Sequence, residues 1–163
     1  MKCRVCGREA VVRLPYANLS LCGEHFVEFF ERRVLRTVRR YGMVKPGQRV
    51  AVALSGGKDS VSLLHALSRL RGVLGIELVA VTLDLGVRGY SALYVEEARR
   101  SAERAGVPHH IVRLADYGFT IDDAARRLRR PVCSACGTVK RYLLNKAARE
   151  LGAHVVATGH TLD

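Results

Sequence analysis

The chain has 163 residues, 48% of them hydrophobic and 26% charged, and its formal net charge is +12. This length and apolar content suit one α/β domain with a small additional module, and they exclude a disordered chain. No apolar run is long enough to span a bilayer, and the N-terminus lacks the apolar segment of a signal peptide. We therefore expect a cytoplasmic protein with no membrane partner. Most of the 27 basic residues are arginine, which favours a polyanionic partner.

The first 26 residues contain two pairs of metal-binding residue types at knuckle spacing. Cys3-x-x-Cys6 is followed after a short loop by Cys22-x-x-His25. Each pair can place two ligands on one turn, and four such ligands suit tetrahedral Zn²⁺. A segment this short has little core of its own, so a bound metal would stabilise its fold. The alternative is a reduced cluster without metal, but we predict a zinc-binding, zinc-ribbon-like module at residues 1–26.

A helix with a basic face follows the cysteine pairs. Apolar residues recur with helical spacing from Phe26 to Tyr41, and the Lys45-Pro46-Gly47 turn ends the segment. The arginines on its polar side are Arg32, Arg33, Arg36, Arg39 and Arg40. The charge pattern alone leaves two interpretations open, a solvated face and an RNA-facing surface. We predict that residues 27–47 form a linker helix and turn.

The segment Ser55–Ser60 reads Ser-Gly-Gly-Lys-Asp-Ser and separates a strand from a helix. The preceding residues Arg49–Leu54 have strand composition, and the following residues have helical spacing to about Leu70. Glycines let the backbone approach a ligand, and the N–H groups of a first helical turn can bind an anion. Lys58 would add a cation, and the two serines would add hydroxyl donors. The glycine spacing is not that of a Walker A loop, but the order of elements predicts a phosphate site.

Strands alternate with helices over residues 48–163, which predicts a parallel, doubly wound α/β sheet. Further strands are predicted at Glu77–Leu83, His110–Leu114 and His154–Thr158. Further helices are predicted at Tyr90–Ala105, Ile121–Arg130 and about Gly137–Leu151. Ligands of such sheets bind beyond the carboxyl ends of the strands, where the glycine loop, Leu83 and Gly159 would lie. The histidines outside every motif, which we expect to be exposed or hydrogen-bonded, are His65, His109, His110 and His154.

A second cysteine pair, Cys133-x-x-Cys136, lies in the later part of the chain. We expect it at a helix start, where the helix dipole and unpaired N–H groups lower thiol pKa values. Such thiolates can be redox-active, nucleophilic, or ligands of zinc or an iron–sulfur cluster, and a buried structural pair is a further alternative. The spacing alone does not choose among these.

Two strings together resemble a known family. The Ser55–Ser60 loop is similar to the pyrophosphate loop (PP-loop) of the ATP pyrophosphatase superfamily, which cleaves ATP between the α and β phosphates. The strings Cys133-Ser-Ala-Cys136-Gly and Lys140-Arg-Tyr-Leu-Leu-Asn-Lys146, with the N-terminal Cys3His pattern, resemble tRNA 2-thiouridine synthetases of the TtuA/TtcA family. The resemblance implies an adenine nucleotide alpha hydrolase-like fold at residues 48–163. We expect this domain to be truncated at its C-terminal end.

The resemblance also implies the site residues. It places ATP, with Mg²⁺ bridging its phosphates, against a set of residues along the sheet edge: Ala53, Ser55, Gly56, Gly57, Lys58, Asp59, Ser60, Leu83, Lys140 and Gly159. It implies that Cys133 and Cys136 bind a [4Fe-4S] cluster, and that both cysteines act in catalysis with Lys140 and Asp59. The implied zinc ligands are Cys3, Cys6, Cys22 and His25.

The function implied is ATP-dependent tRNA thiolation at the C2 carbonyl of a uridine, position 54 of the T-loop in the closest family branch. Alternatives are a wobble-uridine or cytidine thiolase, and a catalytically incomplete ATP- and RNA-binding fragment. An adenylating enzyme that uses ammonia and a non-enzymatic zinc-containing RNA-binding module are competing classes. The implied partners are tRNA, a sulfur-donor protein such as a ubiquitin-like thiocarboxylate carrier, and a second copy of the chain in a homodimer.

Overall fold

The computed structural model describes residues 1–87, 89, 91–118, 120–121, 123 and 132–160, with the backbone alone for residues 132–135. The chain divides into two compact units, Met1–Met43 and Val44–Asp163. The division of the sequence into parts at residues 26 and 47 stays a prediction. No helix within the described residues has both the length and the apolarity needed to cross a membrane.

The first unit is a β-hairpin followed by a long helix. Strands β1 (Val12–Leu14) and β2 (Leu19–Leu21) pair antiparallel across a 3-10 turn at Pro15–Ala17. Helix α1 (Gly23–Arg40) begins three residues before the predicted Phe26, because the Cys22-x-x-His25 turn is itself helical. The buried centre of the unit is small and consists of Cys3, Leu21 and Cys22, with Phe26 and Phe29 of α1 packed against it.

The second unit is built on a four-stranded parallel sheet. Its strands are β3 (Arg49–Ala53), β4 (Glu77–Asp84), β5 (His109–Arg113) and β6 (Val155–Ala157). Their order is β5-β4-β3-β6, so the chain leaves β3 in one direction and returns on its other side at β6. This confirms the predicted α/β fold with a parallel sheet, and it creates a switch point between β3 and β6.

Among the described residues, three helices cover this sheet: α2 (Lys58–Leu74), α3 (Ser91–Ala105) and α4 (Val132–Glu150). Ala147 and Ala148 of α4 pack on the sheet face that carries Ala51, Val79 and Val81. Neighbouring strand residues point to the opposite face, which α2 and α3 cover.

In the second unit, the end of α2 and the start of α4 differ from the sequence-based expectation, and one predicted helix cannot be compared. Helix α2 continues past Leu70 until Gly75, whose positive φ of 64° forms its C-cap. Helix α4 begins at Val132 rather than near Gly137, because the Cys-x-x-Cys segment is already helical. The helix predicted at Ile121–Arg130 falls mostly outside the described residues.

Candidate nucleotide and metal sites

The glycine loop connects β3 to the N-terminus of α2, and its two glycines differ in their surroundings. Gly56 has φ +81°, and a Cβ built on it would lie 2.4 Å from the backbone oxygen of Tyr94 in α3. Only glycine fits this conformation at this distance from another backbone. Gly57 has an ordinary φ of −77° as the N-cap of α2, and its added Cβ would meet only Ser55 Oγ at 3.5 Å.

The serine hydroxyls of the loop bond to one another and to the loop backbone. Ser60 Oγ, only 7% exposed as a residue, donates to the Gly57 carbonyl oxygen at 2.9 Å. It accepts the Ser55 N–H at 3.1 Å and, because its single proton is already used, the Ser55 hydroxyl at 3.1 Å. The Ser60 hydroxyl therefore shapes the loop, while the Lys58 side chain is exposed.

The loop after β6 meets the glycine loop at the carboxyl edge of the sheet. A Cβ on Gly159 would lie 2.9 Å from the Asp59 carbonyl group and from the Ser60 nitrogen. The backbone of Gly159 is thus packed directly on the first turn of α2. The sheet order puts both loops at the switch point between β3 and β6, the place where open α/β sheets bind ligands.

The cysteine-bearing helix lies near the end of β4. Cys136 is a free, half-buried thiol in an apolar cluster that also includes Leu83, Leu114 and Leu143. The structure thus brings together two residues, Leu83 and Cys136, that the sequence analysis had assigned to different parts of the site. Lys140 is exposed one helical turn after Cys136, and Cys133 lies in the first turn of α4 with a side chain outside the described residues.

The four predicted zinc ligands converge in the first unit. One ligand atom from each of Cys3, Cys6, Cys22 and His25 lies within 4.8 Å of every other. The Cys6 and Cys22 sulfurs are 3.8 Å apart, and His25 Nδ1 lies 3.1 Å from the Cys22 sulfur and 3.7 Å from the Cys3 sulfur. Tetrahedral Zn²⁺ with Zn–S bonds of about 2.3 Å separates its sulfur ligands by about 3.8 Å, so these residues fit that metal.

The electrostatics of this cluster favour thiolate at one cysteine. Burial disfavours the Cys3 thiolate, but hydrogen bonds from the backbone of Cys22, Cys6 and Val5 outweigh it and lower the pKa of Cys3 to about 6. Arg8 donates from Nε to the Cys6 sulfur at 3.3 Å and also pairs with Glu24.

Two residues that the sequence analysis did not assign to the site, Thr82 and His109, lie beneath the glycine loop. Thr82 Oγ1 donates to the Leu54 carbonyl oxygen at 2.6 Å and lies 2.7 Å from His109 Nε2. His109 is hydrogen-bonded, as was expected for a histidine outside the motifs. The sequence offered one signal for this contact: Thr82 is the single hydroxyl in the buried, otherwise apolar middle of β4.

Comparison with known proteins covers the whole chain. Residues 2–27 match the family described as the N-terminal LIM domain of 2-thiouridine synthetase TtuA, and residues 27–163 match the PP-loop domain family. The tRNA-5-methyluridine(54) 2-sulfurtransferase of Pyrococcus horikoshii is 42% identical over 164 residues, and that of Thermus thermophilus is 43% identical over 164 residues. The alignments cover 100% of this chain and 51% and 50% of these relatives, so the chain spans about half their length.

A solved structure with the same fold is the U34-tRNA thiolase NcsA from Methanococcus maripaludis, determined with its [4Fe-4S] cluster. It is similar with a TM-score of 0.85 and 30% identity, over 99% of this chain and 54% of NcsA. The matched families together account for residues 2–163. The first contains the four-ligand knuckle site, and the second contains the glycine loop and the cysteine-bearing helix. The chain belongs to the PP-loop domain family, and its amino-terminal residues match the LIM domain of 2-thiouridine synthetase TtuA.

Proposed function

We propose that the protein is an ATP-dependent tRNA sulfurtransferase that replaces the C2 oxygen of a uridine with sulfur. One observation carries this proposal: the glycine loop and Gly159 meet at the switch point of the sheet, and Cys136 packs against the same buried cluster as Leu83 at the end of β4. An anion-binding helix N-terminus and a cysteine pair at one edge combine the two parts that the reaction needs. The names of the relatives support tRNA as the substrate.

The first step of the proposed reaction makes a leaving group. The uridine O2 attacks the α-phosphorus of ATP, the bond between the α and β phosphates breaks, and pyrophosphate departs with its electron pair. The N–H groups at the start of α2 and the Lys58 side chain would bind the departing phosphates. Lys140 would balance charge near the α-phosphate. Asp59 is an exposed carboxylate in the first turn of α2, a hard oxygen donor that fits Mg²⁺.

The second step replaces oxygen with sulfur. A sulfide equivalent from a donor protein attacks C2, the C2–O bond breaks, and AMP leaves with the oxygen. Cys136 offers a free thiol in apolar surroundings, and Cys133 lies three residues earlier in α4, so these two cysteines would hold a [4Fe-4S] cluster. Such a cluster would supply an iron site that binds the sulfur to be transferred. A ubiquitin-like sulfur carrier, a homodimer and a cytoplasmic location remain predictions.

Position 54 of the T-loop is the modified base that the relatives favour. The identity is 42% and 43% to two position-54 enzymes, 38% to the tRNA 2-thiolation protein NcsA of Haloferax volcanii, and 30% to the position-34 thiolase NcsA of Methanococcus maripaludis. The second candidate is therefore the wobble uridine, and the two share the chemistry at C2. Mapping the thiolated nucleotide by mass spectrometry of tRNA fragments separates them.

The arginine face of α1 is the surface that we propose for tRNA phosphates. Its five side chains, all exposed, are Arg32, Arg33, Arg36, Arg39 and Arg40. At about 100° per residue they lie within an arc of about 120°. None of the ion pairs described in the structure joins one of them to a carboxylate, and Arg33 stacks over the exposed Tyr16 ring at 5.6 Å. A row of guanidinium groups with an exposed aromatic ring suits an RNA backbone and its bases.

The test is nucleoside analysis of tRNA from cells that lack the gene. We expect 2-thiouridine and 2-thioribothymidine to disappear and to return when the intact gene is supplied. A gene that encodes Cys136→Ser should restore the amount of the protein but not the thionucleosides. The abundance of the variant protein in the cells is the control. Unchanged thionucleosides in the deletion strain would refute the proposed function.

A further inference from the structure

A chain of hydrogen bonds runs from β5, through β4, into the glycine loop. Thr82 is 2% exposed, and its hydroxyl has one proton. The Leu54 carbonyl can only accept, so Thr82 donates to it at 2.6 Å. The Thr82 oxygen must then accept from His109 Nε2 at 2.7 Å, which assigns the proton of neutral His109 to Nε2.

The series of hydrogen bonds continues inside the loop, and each group donates to the next one towards α2. The Leu54 carbonyl belongs to the peptide whose N–H is that of Ser55, and this N–H donates to Ser60 Oγ at 3.1 Å. Ser60 in turn donates to the Gly57 carbonyl at 2.9 Å, which lies at the N-cap of α2. Aligned hydrogen bonds polarise and strengthen one another, so loss of the Thr82 hydroxyl would weaken the hydrogen bonds inside the loop.

The Leu54–Ser55 peptide connects the end of β3 to the glycine loop. The Leu54 N–H donates to the Val81 carbonyl at 2.8 Å, as in a regular parallel sheet. The Leu54 carbonyl instead accepts a hydrogen bond from the Thr82 hydroxyl. The Ala53–Leu54 peptide is therefore fixed to the main chain of β4, and the next peptide, Leu54–Ser55, is held by Thr82 at its carbonyl and by Ser60 at its N–H. Rotation of the Leu54–Ser55 peptide plane would turn the Ser55 N–H away from Ser60 and change the loop that precedes the first turn of α2.

We propose that Thr82 and His109 are positioning residues for nucleotide binding, which hold the glycine loop in its anion-binding shape through the Leu54–Ser55 peptide. The inference rests on the proposed function only in taking ATP as the ligand of the loop. Neither residue is needed to touch ATP. Thr82 orients the peptide directly, and His109 orients the Thr82 hydroxyl.

The experiment measures ATP affinity by titration calorimetry and thermal stability for each variant of the protein at its natural length. Thr82→Val keeps the side-chain shape and removes the hydroxyl. We expect about two- to twelvefold weaker ATP binding, the range of one net hydrogen bond, and recovery in Thr82→Ser. His109→Leu should weaken binding less, because Thr82 keeps its own bond to Leu54. The neutral His109 ring should show an Nε2 proton in ¹⁵N spectra.

Ser101→Ala is the matched control. Ser101 is also a fully buried hydroxyl, but it bonds to Glu97 within α3 and does not lead to the loop. We expect this variant to lose thermal stability and to keep its ATP affinity. Equal ATP affinity in the parent and Thr82→Val would overturn the inference alone, whatever the stability of the variant. Absence of ATP binding by the parent would overturn the proposed function together with it.

Discussion

The two adjacent glycines of the loop provide the sharpest test of its geometry. In Gly56→Ala the new Cβ meets the Tyr94 carbonyl oxygen at 2.4 Å, whereas ordinary Cβ contacts begin at 3.4 Å. The backbone must therefore move by about 1 Å, and forced shifts of this kind cost about 1–3 kcal/mol. The positive φ of 81° adds about 1–2 kcal/mol for a residue with a side chain. We expect a total destabilisation of about 2–5 kcal/mol.

The matched variant is Gly57→Ala, one residue along the chain. Its φ of −77° is ordinary, and its Cβ would lie 3.5 Å from Ser55 Oγ, which is normal van der Waals contact. At about 2–4 °C per kcal/mol, Gly56→Ala should lower Tm by about 5–20 °C, while Gly57→Ala should leave Tm nearly unchanged. Differential scanning calorimetry of the two variants is the assay. Equal Tm values would refute the assignment of Gly56 as the glycine that conformation and packing require.

The arginine face, the zinc ligands and His109 lead to three further predictions. A triple variant with glutamine in place of Arg32, Arg36 and Arg39 should bind tRNA with a weaker salt dependence. The slope of log affinity against log salt should become less steep by about 2 to 3, since each phosphate contact contributes about 0.7–0.9 to that slope. The three ion-paired arginines of α3, replaced together with glutamine, control for the same change in net charge, and an unchanged slope in the α1 triple variant would favour a solvated face. Removing zinc with a chelator should unfold the first unit, seen as lost circular dichroism that zinc restores; a module that stays folded without metal would contradict this. Burial, with smaller contributions from neighbouring charges, lowers the pKa of His109 below its ordinary 6.5, so the unfolded chain takes up this proton first as pH falls. The free energy of unfolding should therefore decrease below about pH 6.5, and less so in His109→Gln; identical pH profiles would argue against it.

The order of residue types along the chain was enough to identify both candidate sites. The convergence of the four candidate metal ligands follows from knuckle spacing, because two ligands on one tight turn is a local arrangement that the hairpin only has to bring together. The phosphate loop follows from a glycine turn between a strand and a helix, which is also local. Alternation of strands and helices predicted the parallel sheet, since parallel strands need crossover connections.

The tertiary structure decided what each residue of these sites does. Ser60 was expected as a ligand donor, but its proton goes to the Gly57 carbonyl, a geometry that the loop's own curvature sets. The contact of Gly159 with Asp59 depends on β6 pairing beside β3, about a hundred residues away in the chain. Thr82 and His109 acquire a role only because strand register aligns them under Leu54, which no local pattern of residues encodes.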